Sequence, residues 1–596
     1  MNRVVSLGSL LIAAAVLAAC AAKREDKVVQ PQPQYSPPPP AAAPEGTKVE
    51  ETIANVVTES QRMHSAVQDS ASPIVATHAD AIGKQVVREE AQLRRASAPI
   101  APVPPMFAPP PQPVDTERYQ HQQDNAVQLA AEQPVSTFSI DVDTGAYANV
   151  RRFLNEGRLP PQDAVRVEEM INYFDYDYAT PGNRDTPFRV STELAAAPWN
   201  SQALLMRIGI KGFEVQAKER PAANLVFLID VSGSMDSPDK LPLLKNAFRL
   251  LTDQLTSRDR VSMVVYAGSS GVVLEPTAGD QKHSIQEALA RLSAGGSTNG
   301  ASGIERAYQL AHDTFVKGGI NRVVLATDGD FNVGTVNFEA LVDIVERERA
   351  TGVELTTLGF GTGNYNEQLM ERLADAGNGN YAYIDTLSEA RKVLVSQLSS
   401  TLYTIAKDVK IQVEFNPSEV LEYRLIGYEN RMLAREDFNN DKVDAGEIGA
   451  GHRVTALYEV VPVGSKGRLD PLRYGAKPDQ AAGQGELANV RLRYKKPGSD
   501  SSQLLEYPIR KDAAVAADKL STDFRFAASV AAFGQLLRGG KYLGDFDYGD
   551  VTKLAGGALG EDRDGYRREF VSLVALARSL TPSNAPAGDK MSQISE

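Results

Sequence analysis

The sequence Leu225-Val-Phe-Leu-Ile-Asp230-Val-Ser232-Gly-Ser234 decides the fold. Its short run of apolar, partly β-branched residues predicts a buried strand that stops at Asp230. The turn that follows brings one carboxylate and the hydroxyls of Ser232 and Ser234 to the carboxyl edge of a sheet. Mg²⁺ prefers such hard oxygen ligands, about six of them at ~2.1 Å, with some supplied by water. The stretch therefore predicts a strand that ends in part of a metal site.

Similar strands and intervening helices follow along the chain. Further short apolar segments at 260–266, 321–326 and 353–358 predict parallel strands that are covered on both faces. Helical patterns separate them, at 238–254, 302–315, 338–349, 366–375 and 388–405. We expect residues 222–406 to form an α/β domain with a central, doubly wound, mostly parallel sheet of Rossmann-like type. Its site should lie at the carboxyl ends of the strands.

Two distant segments bring further oxygen atoms to the same edge. Gly295-Gly-Ser-Thr298 is a glycine-rich loop before a helix, and Ala326-Thr-Asp328-Gly-Asp330 ends another strand with a carboxylate. The predicted metal ligands are Asp230, Ser232, Ser234, Thr298 and Asp328. The alternative is that these side chains only cap helices and satisfy turns. Capping needs one oxygen per helix, however, and does not explain the complete set.

The order DxSxS, then threonine, then T-D-G resembles the metal-ion-dependent adhesion site of von Willebrand factor type A (VWA) domains. The resemblance implies that Ser232, Ser234 and Thr298 contribute hydroxyl oxygens, directly or through water. Asp230 and Asp328 would act largely through bound water. The ion, Mg²⁺ with Mn²⁺ or Ca²⁺ as alternatives, would then stay electron-poor and bind the Asp or Glu carboxylate of a protein partner.

The resemblance extends beyond the central domain. The stretches 138–147 and 440–452 look like those of bacterial VWA lipoproteins with an N-terminal cap and a C-terminal extra module. We expect a cap module at 135–221, a C-terminal α+β module at 407–581 and a flexible tail at 582–596. In the C-terminal part, strand patterns precede helical ones. Either a strand insert followed by a helical bundle or a single α+β module would fit this order.

The N-terminus has the pattern of a lipoprotein signal peptide. The apolar run at 10–19 is too short to span a bilayer of about 30 Å. It leads into Leu17-Ala-Ala-Cys20, which resembles the bacterial lipobox, so we expect residues 1–19 to be removed and Cys20 to be acylated. Because Ala21 replaces the aspartate of an inner-membrane retention signal, we expect an outer-membrane address, at the periplasmic face or the surface. The Pro- and Ala-rich segment 20–134 predicts a disordered tether.

Several other functions are disfavoured. With 63 basic and 76 acidic residues the net charge is −13, which offers no basic face to nucleic acid. The glycines at 359–363 are wrongly spaced for a dinucleotide loop, and neither H-E-x-x-H nor G-x-S-x-G occurs, so we predict no nucleotide and no enzyme. The segment 437–448 begins like a calcium loop, but Lys442 and Ile448 stand where glycine and an acidic residue are needed. A solvated turn is the preferred interpretation.

Three functional hypotheses remain. The preferred one is a lipid-anchored envelope protein that binds a partner through its metal, for adhesion or for assembly of an envelope complex. The second is a scaffold or chaperone-like protein in which the VWA domain docks its own flanking modules, with the metal serving stability. A C-terminal hydrolase is a third hypothesis, for which the sequence supplies no residue set.

Overall fold

The computed structural model describes residues 116–216, 218–296, 300–329, 338–470 and 485–582. The predicted signal peptide, Cys20, most of the tether and nearly all of the tail lie outside these ranges. Within them, no helix combines the length and the apolar character needed to cross a bilayer.

The elements are numbered in chain order. The strands are β1 (Gln128–Leu129), β2 (Val135–Ser139), β3 (Phe188–Ala197), β4 (Asn200–Gly212), β5 (Ala223–Asp230), β6 (Arg260–Tyr266), β7 (Ser270–Ala278), β8 (Ile320–Thr327), β9 (Glu354–Phe360), β10 (Tyr381–Ile384), β11 (Thr404–Phe415), β12 (Val420–Ile426), β13 (Ile448–Gly449), β14 (Arg453–Pro462), β15 (Glu486–Lys495) and β16 (Ser502–Arg510). The helices are α1 (Gly145–Asn155), α2 (Val167–Asn172), α3 (Leu241–Asp253), α4 (Lys282–Arg291), α5 (Gly300–Asp313), α6 (Phe338–Arg349), α7 (Glu367–Ala376), α8 (Leu387–Arg391), α9 (Leu398–Leu402), α10 (Thr522–Leu537), α11 (Tyr548–Gly556) and α12 (Tyr566–Leu580).

The central domain has the predicted α/β architecture. Its sheet has the order β10-β9-β8-β5-β6-β7, and every pairing is parallel except that of β6 with the edge strand β7. All residues of β5 are buried. Phe227 packs into the core beneath α3, whereas Leu228 packs into the core beneath α5 and α6. Helices on both faces therefore explain why this strand is continuously apolar, and the predicted fold class is confirmed.

Some elements of this domain differ from the predictions. The edge strand β7, the helix α4 and the short strand β10 were not predicted. In β7 every residue keeps partial or full exposure, and Pro276 interrupts the pattern, so the segment lacks the signal of a buried strand. The predicted helix 388–405 ends at Leu402, because Ile405 is buried in a different core and belongs to β11.

The two flanking regions form shared sheets. One sheet has the order β1-β12-β14-β4-β3, and the other joins β13, β11, β15 and β16, with β2 paired to β11. Side chains from both sheets, such as Ile208 and Ile411, enter one core. Phe174 from the N-terminal side packs against Phe526 of α10 and Phe570 of α12 in another. Neither arrangement predicted for the C-terminal part includes sheets that are shared with the N-terminal part. The segments that pair are far apart in the sequence, so local patterns do not reveal the pairing.

Described structure also begins before Val135, the predicted start of the cap module. Residues 116–134, which the sequence assigns to the tether, include β1 and an edge contact with the central domain. Thr116 N–H donates to the Gly363 carbonyl at 2.9 Å, and Arg118 N–H donates to the Tyr365 carbonyl at 2.9 Å. Backbone hydrogen bonds of this kind depend little on side-chain identity. The amino-acid composition therefore predicts a tether that extends too far toward the C-terminus.

Buried ion pairs connect the flanks to the central domain. Arg431, which follows β12, contacts Asp141 and Asp143 after β2 at 3.3 and 3.2 Å, and it also contacts Glu371 and Asp375 of α7 at 3.2 and 2.5 Å. Other such pairs join Arg151 to Asp385 and Glu389, and Arg166 to Glu367. Since these groups are largely buried, the flanks are docked on the domain by charge as well as by apolar packing.

Candidate metal centre

The first part of the predicted site forms where β5 ends. Asp230 is the last residue of β5, and a 3-10 helix, Gly233–Asp236, begins directly after Ser232. The Asp230 carboxylate accepts a hydrogen bond from the Ser232 backbone N–H at 2.8 Å, which tightens the turn. The Ser232 and Ser234 Oγ atoms then lie 3.0 Å apart. The turn therefore gathers these two hydroxyls beside the strand end, as the sequence predicts.

Asp230 is held by neighbouring strands. Its Oδ2 accepts hydrogen bonds from the Tyr266 hydroxyl of β6 at 3.2 Å and from the Thr327 hydroxyl of β8 at 2.9 Å. Burial raises the pKa of Asp230 to about 6, with the nearby Asp328 adding to the rise and hydrogen bonds from Ser232 and Thr327 opposing it. The carboxylate thus has a fixed orientation but is costly to keep charged without a cation.

The second carboxylate comes from the adjacent strand. β5 and β8 are parallel neighbours with Ile229 opposite Ala326, so Asp328, just after β8, lies at the same edge. Its Oδ2 accepts hydrogen bonds from Lys240 Nζ at 2.9 Å and from Asn364 Nδ2 at 3.1 Å. Lys240 is itself buried, with 6% of its surface exposed. An internal cation therefore neutralises part of the charge at this edge.

Thr298 lies outside the described residues, as does Asp330. The loop ahead of Thr298 is nevertheless attached to the β5 turn. Gly295 N–H donates to the Val231 carbonyl at 2.8 Å, and Gly233 N–H donates to the Gly296 carbonyl at 3.1 Å. The structure therefore brings together Asp230, Ser232, Ser234 and Asp328, while the role of Thr298 stays a prediction.

The described donor set fits a small divalent cation. Neighbouring ligands of an octahedral Mg²⁺ at ~2.1 Å are separated by ~3.0 Å. The two serine hydroxyls have this separation of 3.0 Å. Both carboxylates are fully buried, so a counter-ion there would relieve the cost of their desolvation. Ser232 and Ser234 would contact such an ion, and Asp230 and Asp328 would hold its water.

The sequence alone did not identify the residues that support these ligands. Lys240, Asn364, Tyr266 and Thr327 lie on four different segments, and only Thr327 belongs to a motif, as the threonine of T-D-G. Thr327 precedes Asp328 directly, and its hydroxyl also accepts the Gly329 N–H at 3.1 Å. The adjacency of β5, β6 and β8 places Tyr266 and Thr327 around Asp230, whereas Lys240 and Asn364 reach Asp328 from other segments.

Comparison with known proteins agrees with this architecture. The family model of the von Willebrand factor type A domain matches residues 224–397, and that of the C-terminal region of "Uncharacterized protein YfbK" matches residues 400–580. A further von Willebrand factor model matches residues 113–207. YfbK of Escherichia coli K12 is 50% identical over 477 residues, which cover 78% of this chain and 82% of that protein. The chain belongs to the YfbK family of bacterial VWA proteins.

More distant similarities cover only part of this chain. Human inter-alpha-trypsin inhibitor heavy chain H3 is 25% identical over 258 residues, which cover 40% of this chain and 28% of that protein. A solved structure described as von Willebrand factor type A from Catenulispora acidiphila is 18% identical, with a TM-score of 0.38, and covers 67% of this chain and 91% of that chain. VWA domains are typically protein-interaction modules, and many of them bind a divalent metal.

Proposed function

We propose that this YfbK family member is a lipid-anchored cell-envelope protein that holds an acidic side chain of a protein partner through a Mg²⁺ ion on its VWA domain. Adhesion or assembly of an envelope complex would use the same contact. One observation carries the proposal. Two fully buried carboxylates, Asp230 and Asp328, and the paired hydroxyls of Ser232 and Ser234 lie at the carboxyl ends of adjacent parallel strands.

The charges of the described residues support an anionic partner. Asp230 and Asp328 contribute two negative charges, and Lys240 beside Asp328 contributes one positive charge. Their formal sum is −1, so a bound divalent ion would leave the site at +1. When bound, the ion would supply an electrophilic position for a carboxylate oxygen. Lys240 would therefore strengthen the preference for Asp or Glu while it also holds Asp328 in place.

We propose a binding role rather than catalysis. Acyl transfer by a serine requires a base positioned against its hydroxyl. In the described part of the chain the Ser232 hydroxyl lies against the Ser234 hydroxyl, at 3.0 Å, rather than against a histidine. These serines are thus arranged as oxygen ligands.

The internal-scaffold hypothesis has one supporting observation, since the flanking regions do dock on the VWA domain. The buried ion pairs that join them use α7 and α8 and centre on Arg151, Arg166 and Arg431. Asp230 and Asp328 do not take part in these described pairs. The described contacts with the flanking regions therefore do not use the proposed metal centre, which we assign to a separate partner.

Crosslinking in the native envelope tests the partner-binding proposal. We expect a partner to be captured in Mg²⁺ and lost with chelator. Thr298→Ala should reduce its capture about tenfold or more, by analogy with metal sites that lose a supporting contact. Thr351→Ala, an exposed threonine of the same domain, is the matched control and should bind like wild type. Equal capture with and without chelator would instead support the scaffold hypothesis.

Acyl labelling tests the proposed anchor. Cys20 is the only cysteine in the chain, so Cys20→Ala should leave an unlabelled precursor that does not fractionate with the outer membrane. Wild-type labelling of this variant would contradict the lipoprotein proposal. The membrane contact would then need another explanation, while the metal centre would remain testable by itself.

A further inference from the structure

A second group of carboxylates lies where the VWA domain meets the C-terminal strands. Asp408 is in β11, and Asp444 and Glu447 lie in the segment before β13. One ligand oxygen from each lies within 4.8 Å of the other two. Val409 N–H donates to the Gly446 carbonyl at 2.9 Å, which fixes this segment against β11.

Among the described residues, two of these carboxylates form direct ion pairs, while Lys407, which pairs with Glu354, adds a positive charge near Glu447. Lys495 Nζ lies 2.7 Å from Asp408, and Arg349, the last residue of α6, pairs with Asp444. The Glu447 side chain is buried, and its Oε1 atom has no hydrogen-bond partner among the described residues. A buried carboxylate oxygen without a partner is strongly disfavoured unless a proton or a cation compensates it.

We propose that Asp408, Asp444 and Glu447 bind a calcium ion that fastens the segment before β13 to β11. Ca²⁺ takes about six to eight oxygen ligands at about 2.3–2.6 Å in flexible geometry, whereas Mg²⁺ demands near-ideal octahedral geometry. Three carboxylate oxygens that lie within 4.8 Å of one another can reach a common ion, and their mixed exposure suits the more tolerant Ca²⁺. The Asp444 side chain is 48% exposed, which gives the ion a route from solvent.

This group is distinct from a calcium loop at 437–448, which the sequence disfavours because Lys442 and Ile448 stand where glycine and an acidic residue are needed. The proposed site takes Asp444 from that segment and adds Glu447 and the distant Asp408. Strand pairing, rather than loop spacing, brings these residues together.

Arg349 gives the proposal a distinctive consequence. Its guanidinium pairs with the same carboxylate that would bind the ion. Arg349→Gln should therefore tighten Ca²⁺ binding, because it removes a competing positive charge from Asp444. If ion pairs with lysine and arginine alone hold these carboxylates, without a metal ion, this variant should bind no Ca²⁺ either.

Calorimetry with Ca²⁺ alone on the full chain tests the site. The titration uses an Asp230→Asn background, so that the proposed Mg²⁺ centre contributes little. We expect about one equivalent of Ca²⁺ to bind, with Kd at least tenfold weaker after Glu447→Gln or Asp444→Asn. Glu436→Gln, which changes an exposed acid nearby, is the matched control and should leave Kd unchanged.

Two results would overturn the proposal: no Ca²⁺ binding in the Asp230→Asn background, or the same Kd after Asp444→Asn as before it. The second variant changes a half-exposed side chain, so it decides the question if Glu447→Gln fails to fold. The site shares no residue with the Mg²⁺ centre. Its failure would therefore leave the proposed partner binding untouched, and the reverse also holds.

Discussion

Buried carboxylates occur in two very different settings in this molecule. At the proposed metal centre, Asp230 and Asp328 accept hydrogen bonds from hydroxyl, amide and ammonium groups. The acids between the flanks and the VWA domain, here called the docking cluster, crowd around Arg166 and Arg431 and comprise Asp141, Asp143, Glu168, Glu169, Glu367, Glu371, Asp375 and Glu429. In that cluster both carboxylate oxygens of Glu168 lack a described partner.

The difference shows how the surroundings of a carboxylate set its role. At the strand edge, hydrogen-bond donors fix the orientation of two acids, where the proposed cation would bind. In the docking cluster acids outnumber arginines, and burial raises the pKa of Glu168 to about 7 and of Glu371 to about 8. The first group is arranged to receive a ligand, whereas the second holds protons and arginines that join the flanks to the domain.

The largest expected effect is at the centre of the docking cluster. Arg431→Met keeps much of the side-chain volume but removes the charge that contacts Asp141, Asp143, Glu371 and Asp375. Breaking a buried pair in this way costs about 3–5 kcal/mol. Urea denaturation of the full chain should show a loss of this size.

An exposed arginine of α7, the helix whose acids Arg431 contacts, supplies the control for this prediction. Arg372 pairs with Glu339 at 3.2 Å, with both side chains well exposed. Arg372→Met should change the free energy of unfolding by ~0–1 kcal/mol. If Arg431→Met were equally mild, the docking cluster would not hold the flanks in place.

A smaller effect is expected at the metal centre. Mg²⁺ that binds only the folded protein should stabilise it by about 2.7 kcal/mol at roughly a hundredfold excess over Kd. Asp230→Asn preserves shape and removes one charge, so most of the Mg²⁺-dependent rise in Tm should disappear. Asp280→Asn, an exposed acid of the same domain, should respond like wild type. Equal rises in both variants would place the metal elsewhere.

The smallest effect concerns pH and Glu168. Burial is the main cause of its raised pKa, followed by Glu429 and Asp141, with Arg166 opposing them. The folded protein keeps this proton up to about pH 7, while the unfolded chain releases it near its ordinary value of 4.5, so stability falls as pH rises between these values. Glu168→Gln should remove about 2 kcal/mol of that fall, since neighbouring acids share the titration.

Urea denaturation from pH 4.5 to 7.5 measures this difference. Glu132→Gln, an exposed acid near the start of the described chain, is the control and should follow the wild-type curve. Parallel curves for wild type and Glu168→Gln would show that folding does not raise the pKa of Glu168. The contrast between the two carboxylate settings would then be weaker than the structure indicates.

Sequence patterns were sufficient for much of the central domain. The predicted strand 260–266 and helix 338–349 agree with β6 and α6 at both ends, because buried strands and amphipathic helices have strong local periodicity. Asp230 and Asp328 were placed at one edge because parallel strands end together. The edge strand β7 was not predicted, because its partly exposed residues lack a strong local periodicity.

The sequence by itself determined the α/β domain and the oxygen-rich strand ends, since these depend on residues close together in the chain. Tertiary structure alone decided that Lys240 pairs with Asp328, that β2 pairs with β11, and that Arg431 lies among acids from two distant segments. These contacts depend on distant segments that pair through backbone hydrogen bonds or charge. Neither leaves a periodic signal in the sequence, so only the folded chain reveals them.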